Sequence, residues 1–196
     1  MRSRAMLAAA ALVALAAAGC STDAVVVGSA AGLPHCHPGS ESAEGGAVVL
    51  AQSVPSAQWL PCVREVPVGW TFVSFDPEDG QTRIGFSSDR DGAHALTVYL
   101  RPSCDLTGTT EVPSERPEMR RYERVTRISD GYGGERHYTF TGGCVTYRFD
   151  LEGDTRAEPV AAISESMGFL SRASLARQVH DSSDGRLELD RRRGSP

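Results

Sequence analysis

The densest grouping of metal-type ligands in this chain is HCHP, in which His35 and His37 flank Cys36. Two imidazoles beside a thiol suit a soft metal such as copper or zinc. The three residues do not complete a coordination sphere, however, and a thiol in an oxidising compartment is usually consumed in a disulfide. A disulfide with two exposed histidines is therefore expected, and no metal centre. DPEDG and SSDRDG approach the calcium-loop pattern. Aligning Gly92 with the loop glycine puts Ser87, Asp89 and Asp91 at the first three ligand positions, but Val98 stands where a bidentate acid is required. Both stretches read as hairpin turns. No G-x-S-x-G elbow and no phosphate-cradling glycine loop opens a helix. His94, His137 and His180 are scattered, so no catalytic residue and no cofactor is assigned.

The arginine-aromatic stretch RRYERVTRISDGYGGERHYTF offers binding chemistry instead. Arg120, Arg121, Arg124 and Arg127 beside Tyr122, Tyr132 and Tyr138 form a candidate partner surface for an envelope protein or an anionic glycan. The competing reading is a solvated strand face whose arginines pair with Glu118, Glu123 and Glu135.

Five cysteines occur: Cys20, Cys36, Cys62, Cys104 and Cys144. The odd one is explained by its position. MRSRAMLAAAALVALAAAGC has a basic start, a short apolar run and small residues at its end, which are the marks of a signal peptide over residues 1–19. Its apolar run, Ala5 to Ala18, is shorter than the roughly 20 residues a spanning helix needs. AAGC resembles a bacterial lipobox, with Ala17 where that pattern most often has leucine. The resemblance implies that Cys20 carries a lipid (diacylglyceryl, with palmitate-type chains), and four cysteines are then left for two disulfides. Three pairings are open; Cys36–Cys62 and Cys104–Cys144 are expected. The first would pin the segment after Cys20 to the domain, and the second would join the end of one strand to the start of another.

Every one of the 20 basic residues is arginine, and lysine and asparagine are missing altogether. This bias suggests a GC-rich bacterial genome, consistent with an actinobacterium. Removing Arg2 and Arg4 with the signal leaves 18 arginines against 25 acidic residues, a net charge of −7. An acidic chain without a basic face argues against nucleic acid and against an electrostatic membrane platform. The lipid would be the sole attachment to the outer face of the cytoplasmic membrane; simple secretion is the alternative.

Residues 20–45, rich in Ser, Gly, Ala and Pro, read as a flexible tether. Residues 46–190 suit one domain, and 191–196 a basic disordered tail. Without asparagine, tight turns rest on Asp79-Gly80, Asp91-Gly92, Asp130-Gly131 and Gly142-Gly143, each between β-like runs. The runs alternate: Leu96, Val98 and Leu100 share a face, as do Val145, Tyr147, Phe149 and Leu151. Six strands in meander order are expected, with GYGGER as a turn and Arg136 at the edge of an apolar face. GAVVLAQSV reads as a helix. TRAEPVAAISESMGFL reads as another, with Val160, Ile163 and Met167 on one face and Thr155 and Glu158 as a capping box. A third, RASLARQV, is capped by Ser171, and RLELD reads as a last strand. The fold class is α+β: an antiparallel β-sheet meander covered on one face by C-terminal helices.

LAQSVP, LPC, GW, RRYERV, GGCVTYRFDL and GRLELD resemble segments of uncharacterised secreted lipoproteins of actinobacteria, over roughly residues 46–190. That resemblance implies location and domain extent, and no activity. The expected function is a non-catalytic binding or scaffolding lipoprotein of the cell envelope. The alternative is an envelope hydrolase whose site is spread over loops.

Overall fold

The structure is a computed structural model that describes residues 32–36, 45–153 and 157–189. The signal segment, Cys20, His37, the tail and the Thr155 cap lie outside the described residues, as does most of the tether. The elements in chain order are α1 (Gly45–Ser53), β1 (Trp59–Val63), β2 (Trp70–Glu78), β3 (Gln81–Ser88), β4 (Gly92–Arg101), β5 (Thr110–Val112), β6 (Arg120–Arg127), β7 (Tyr132–Phe140), β8 (Gly143–Leu151), α2 (Ala157–Ser166), β9 (Met167–Ser171) and α3 (Arg172–Ser182).

Seven strands form one antiparallel sheet in the order β2-β3-β4-β8-β7-β6-β5. It is two meanders, β2-β3-β4 and β5-β6-β7-β8, fused where β4 pairs with β8. The turn dipeptides mark the hairpins. Asp130 and Gly131 both adopt positive φ, 53° and 111°, and a side chain at Gly131 would run into the Leu151 carbonyl. The β7 strand starts at Tyr132, so GYGGER is not the turn that its glycines suggested. Tyr132, Gly133 and Gly134 pair with Leu151, Asp150 and Phe149, and the turn lies just before them.

The strand alternation is as the sequence implied. Leu96, Val98 and Leu100 lie opposite Phe149, Tyr147 and Val145, and all six are buried on one face. We call this the inner face. Its cover holds α1, α2 and α3, joined by a second, two-stranded sheet of β1 with β9. Burying these side chains contributes roughly 1.5–3 kcal/mol each, which makes this layer contact the main stabilising term.

The β1–β9 pair departs from the sequence reading. Met167 is not helical: α2 ends at Ser166, whose carbonyl accepts from Arg64 N–H, and Met167 pairs with Val63. Gly168 lies directly against the sulfurs of Cys36 and Cys62, where a helix with side chains could not pass. Pro61 disguised β1, but in a two-stranded sheet its missing N–H is tolerated. Ser171 caps α3 as expected, accepting from Ser174 N–H, and Leu175 and Val179 are buried. RLELD forms no strand over its described residues 186–189. Ser183 holds Arg186 and Leu187 in a turn, and only Leu189 reaches the core.

The two disulfides join Cys36 to Cys62 and Cys104 to Cys144. The first fixes the segment Gly32–Cys36 against β1, with Cys36 N–H bonded to the Val63 carbonyl and Leu33 buried. This part of the expected tether therefore belongs to the folded domain.

Candidate functional site

The inner face is filled, so the opposite, outer face of the seven-stranded sheet is where surface chemistry can be displayed. Strand register decides which of the arginine-aromatic residues reach it. Arg121 opposes Tyr138 and Glu123 opposes Arg136 on the inner side; Arg120, Tyr122 and Arg124 oppose Thr139, His137 and Glu135 on the outer side. A bulge between Val125 and Arg127 returns Arg127 to the outer side, where it pairs with Asp150. The seven residues do not form one surface.

On the inner side they hold the fold together. Tyr138 is only 2% exposed, donates to Glu115 Oε1 at 2.6 Å, and packs edge-on against Tyr147 and Phe169. Burial, reinforced by that carboxylate, pushes its hydroxyl up to about 12. Arg121 binds Glu115 and Glu123, and Glu123 also accepts from Arg136 Nε at 2.7 Å. Arg136 is no edge residue. It reaches under α2 to donate to Ser164 Oγ at 3.1 Å. Tyr132 leans on Phe149, and burial raises its pKa. Among the acids named as alternative partners, Glu123 and Glu135 do pair with these arginines.

The outer face has a different centre, Glu135 on β7, which is 10% exposed. Arg124 Nη2 and Arg148 Nε, 3.1 Å away, both donate to its carboxylate. Burial alone would push this carboxyl up; the hydrogen bonds from the two guanidinium groups outweigh it and hold it below the usual range. Arg148 also lies over the Tyr99 ring, 5.2 Å from its centre, and Arg101 lies over the same ring at 4.3 Å. Arg101 donates to the neutral Gln81 at 2.8 Å. At the flanks, Arg120 is held by Glu111 and Arg83 by Asp76.

Beside Tyr99 the face dips into a concavity of about 230 Å³ lined by Ser74, Arg83, Gly85, His94, Thr97 and Tyr99. Gly85 forms its floor, where a Cβ would sit 2.9 Å from Ser74 Oγ. His94 stands at a backbone φ of 56°, a region that costs a residue with a side chain of order 1–3 kcal/mol and that clusters at functional sites. Of the lining side chains, only His94 stood out in the sequence, as one of three scattered histidines, and Arg83 did not. Nothing in the sequence placed them together, because they lie on neighbouring strands with a hairpin between.

A third grouping borders Glu135. The Cys104–Cys144 disulfide lies next to His137, with ligand atoms of all three within 4.8 Å of one another. Burial holds the His137 imidazole below its ordinary pKa, partly offset by the Glu135 charge. The Cys36–Cys62 bridge consumes the thiol of HCHP, and His35 lies in a backbone bridge to Val63.

Fold and site together define a disulfide-braced α+β domain with an arginine-rich outer sheet face, crossed by the segment between β4 and β5. The chain matches no known protein-family model, no curated protein and no solved structure. No helix among the described residues is long and apolar enough to cross a membrane.

Proposed function

We propose that this chain is an exported lipoprotein, anchored through Cys20 to the outer face of the cytoplasmic membrane, whose outer sheet face binds an anionic glycan of the cell envelope. The N-terminal pattern supports the anchor. The binding role rests on one observation: on the outer face Asp76 and Glu135 bind three guanidinium groups, Arg83, Arg124 and Arg148, while Arg101 has only the neutral Gln81, so that even with Asp105 beside Arg124 four guanidinium groups stand among three carboxylates. That local excess of positive charge sits on a mature chain of net charge −7, from 18 arginines and 25 acidic residues, and beside a concavity lined with hydroxyls and an imidazole. Arginine forks match carboxylate and phosphate oxygens, and such a patch raises the local concentration of an anionic polymer. The role is recognition, and the domain acts as a non-catalytic binding module.

The test uses the full chain with Cys20→Ser, applied to immobilised acidic and neutral polysaccharides. Retention on the acidic polymer is expected, weakening as salt is raised. Arg101→Glu with Arg148→Glu should reduce it about tenfold or more. Equal retention on the neutral polymer, or no effect of the two charge reversals, would refute this reading. Mass spectrometry of the mature N-terminus tests the anchor separately, and an unmodified Cys20 would refute that part.

A further inference from the structure

We propose that Cys104 and Cys144, once their disulfide is reduced, form with His137 a binding site for a soft divalent metal ion of the zinc class. Disulfide and metal would be alternative occupants of one place on the outer face. The proposal is independent of the glycan reading. Two thiolates and one imidazole are a donor set that zinc favours, and these three residues already bring their ligand atoms within 4.8 Å of one another.

The orientation of the imidazole carries the argument. Thr146 Oγ1 lies 2.9 Å from His137 Nδ1 and 3.1 Å from Cys104 Sγ, so Nδ1 faces the sulfurs. Nε2 is buried without a hydrogen bond, and the nearest charge to it is Glu135 Oε2 at 3.5 Å. A metal-bound histidine commonly has this arrangement, one ring nitrogen toward the ion and the other N–H turned to a carboxylate that fixes the tautomer. In the disulfide form Nδ1 has only the Thr146 hydroxyl and the sulfurs carry no charge; an ion on Nδ1 would polarise the ring and draw the Nε2 N–H toward Glu135, giving the unbonded buried nitrogen a partner. Glu135 is itself held in place by Arg124 and Arg148. Cys104 is partly exposed while Cys144 is buried, so the site opens to solvent on one side, where water can complete the coordination sphere.

The chemistry balances with a dithiol as reductant. It gives two electrons and two protons to the sulfurs, the S–S bond breaks, and the dithiol closes to its own disulfide. Metal binding then releases both thiol protons. The resulting site, one dication with two thiolates and a neutral imidazole, has no net charge and is far less costly to bury than a bare ion.

Cobalt(II) is a suitable spectroscopic probe. The full chain carrying Cys20→Ser, Cys36→Ser and Cys62→Ser retains only the two cysteines in question. Reduced anaerobically with a phosphine, it should bind one equivalent with thiolate-to-cobalt charge-transfer absorption and the visible bands of a tetrahedral ion. Glu135→Gln should weaken binding about 10- to 100-fold, and His137→Ala by at least as much. Near-UV circular dichroism reports whether the reduced chain is folded. If the triple variant is not, the wild-type chain and a Cys104→Ser/Cys144→Ser variant are reduced and compared, with a difference of one equivalent expected. A folded, reduced chain without thiolate–cobalt absorption would overturn the proposal. So would an affinity unchanged by His137→Ala, or equal stoichiometry in the wild type and the double variant.

Discussion

The two faces of β6, β7 and β8 carry the same kinds of residue and use them differently. On the inner face Arg121, Glu123 and Arg136 connect layers: Glu115 comes from the loop before β6, and Ser164 from α2 across the sheet. On the outer face Arg124, Glu135 and Arg148 link three adjacent strands of one sheet, and the segment between β4 and β5 crosses beside them, its Thr107 carbonyl accepting from Arg124. A charge bridging two layers is partly removed from water and holds a tertiary contact. On the outer face the shared carboxylate of Glu135 is itself withdrawn from water, and it is the guanidinium of Arg148, half exposed, that stays available to a ligand. Composition is therefore a poor guide to role here, and the face a residue occupies is a good one.

The largest effect should come from the inner face. Tyr138→Ala removes two edge-on aromatic contacts and leaves Glu115 without its hydroxyl donor. A loss of roughly 3–5 kcal/mol is expected in urea unfolding, by analogy with other aromatic-to-alanine changes in cores. A loss below about 1 kcal/mol would break the comparison at its strongest point.

Glu135→Gln is next. It removes the charge and one of the two acceptor oxygens that Arg124 and Arg148 share, and the expected cost is about 1–3 kcal/mol, because the half-exposed Arg148 can turn toward water. This carboxyl is held below its usual range, so the folded state binds its proton more weakly than the unfolded state. Its contribution is present above about pH 4.5 and is lost as pH falls through the lowered folded value. The variant should unfold with a shallower acid dependence than the wild type. An unchanged acid limb would show that Glu135 is not the group responsible.

His137 sharpens the comparison between pH 6.5 and more acidic conditions. Burial lowers its pKa, so the unfolded chain takes up this proton first, near about pH 6.5. Stability is full above that value and declines as pH falls from it through the lowered folded value. His137→Gln should flatten this part of the profile, measured by the urea midpoint at several pH values. The same slope in both proteins would remove His137 from the account.

The smallest stability effect should be Arg83→Ala. Its pair with Asp76 is exposed, with side-chain accessibilities of 53% and 39%, and such pairs are worth about 0–1 kcal/mol. Unchanged thermal stability combined with weakened retention on an acidic polysaccharide would separate recognition from folding. A loss above about 2 kcal/mol would mean that the outer face is structural too.

Local rules made most of the strands legible. Period-two alternation in HALTVYL and CVTYRFDL, and Asp-Gly or Gly-Gly where backbone φ must turn positive, are properties of a few consecutive residues. So is the capping of α3 by Ser171. Three cysteine pairings were open, and the position of Cys104 after one strand run and Cys144 at the start of another pointed to the bridge that forms. What failed was non-local. MGFLS continues a helical spacing and becomes β9 only because β1 lies beside it, and the glycines of GYGGER serve a strand because β8 supplies the partner.

The sequence by itself determined the alternation that makes one side of this sheet apolar, the turns that fold it, and the excess of arginine from which any binding face must be drawn. Tertiary structure alone decided which arginines face a covering layer and which face solvent. It also placed His94 beside Arg83 over the Gly85 floor, and His137 between a disulfide and Glu135. The physical reason is strand pairing. Register between strands far apart in the chain fixes which side chains meet across a face, and a single bulge, as between Val125 and Arg127, is enough to move an arginine from one face to the other.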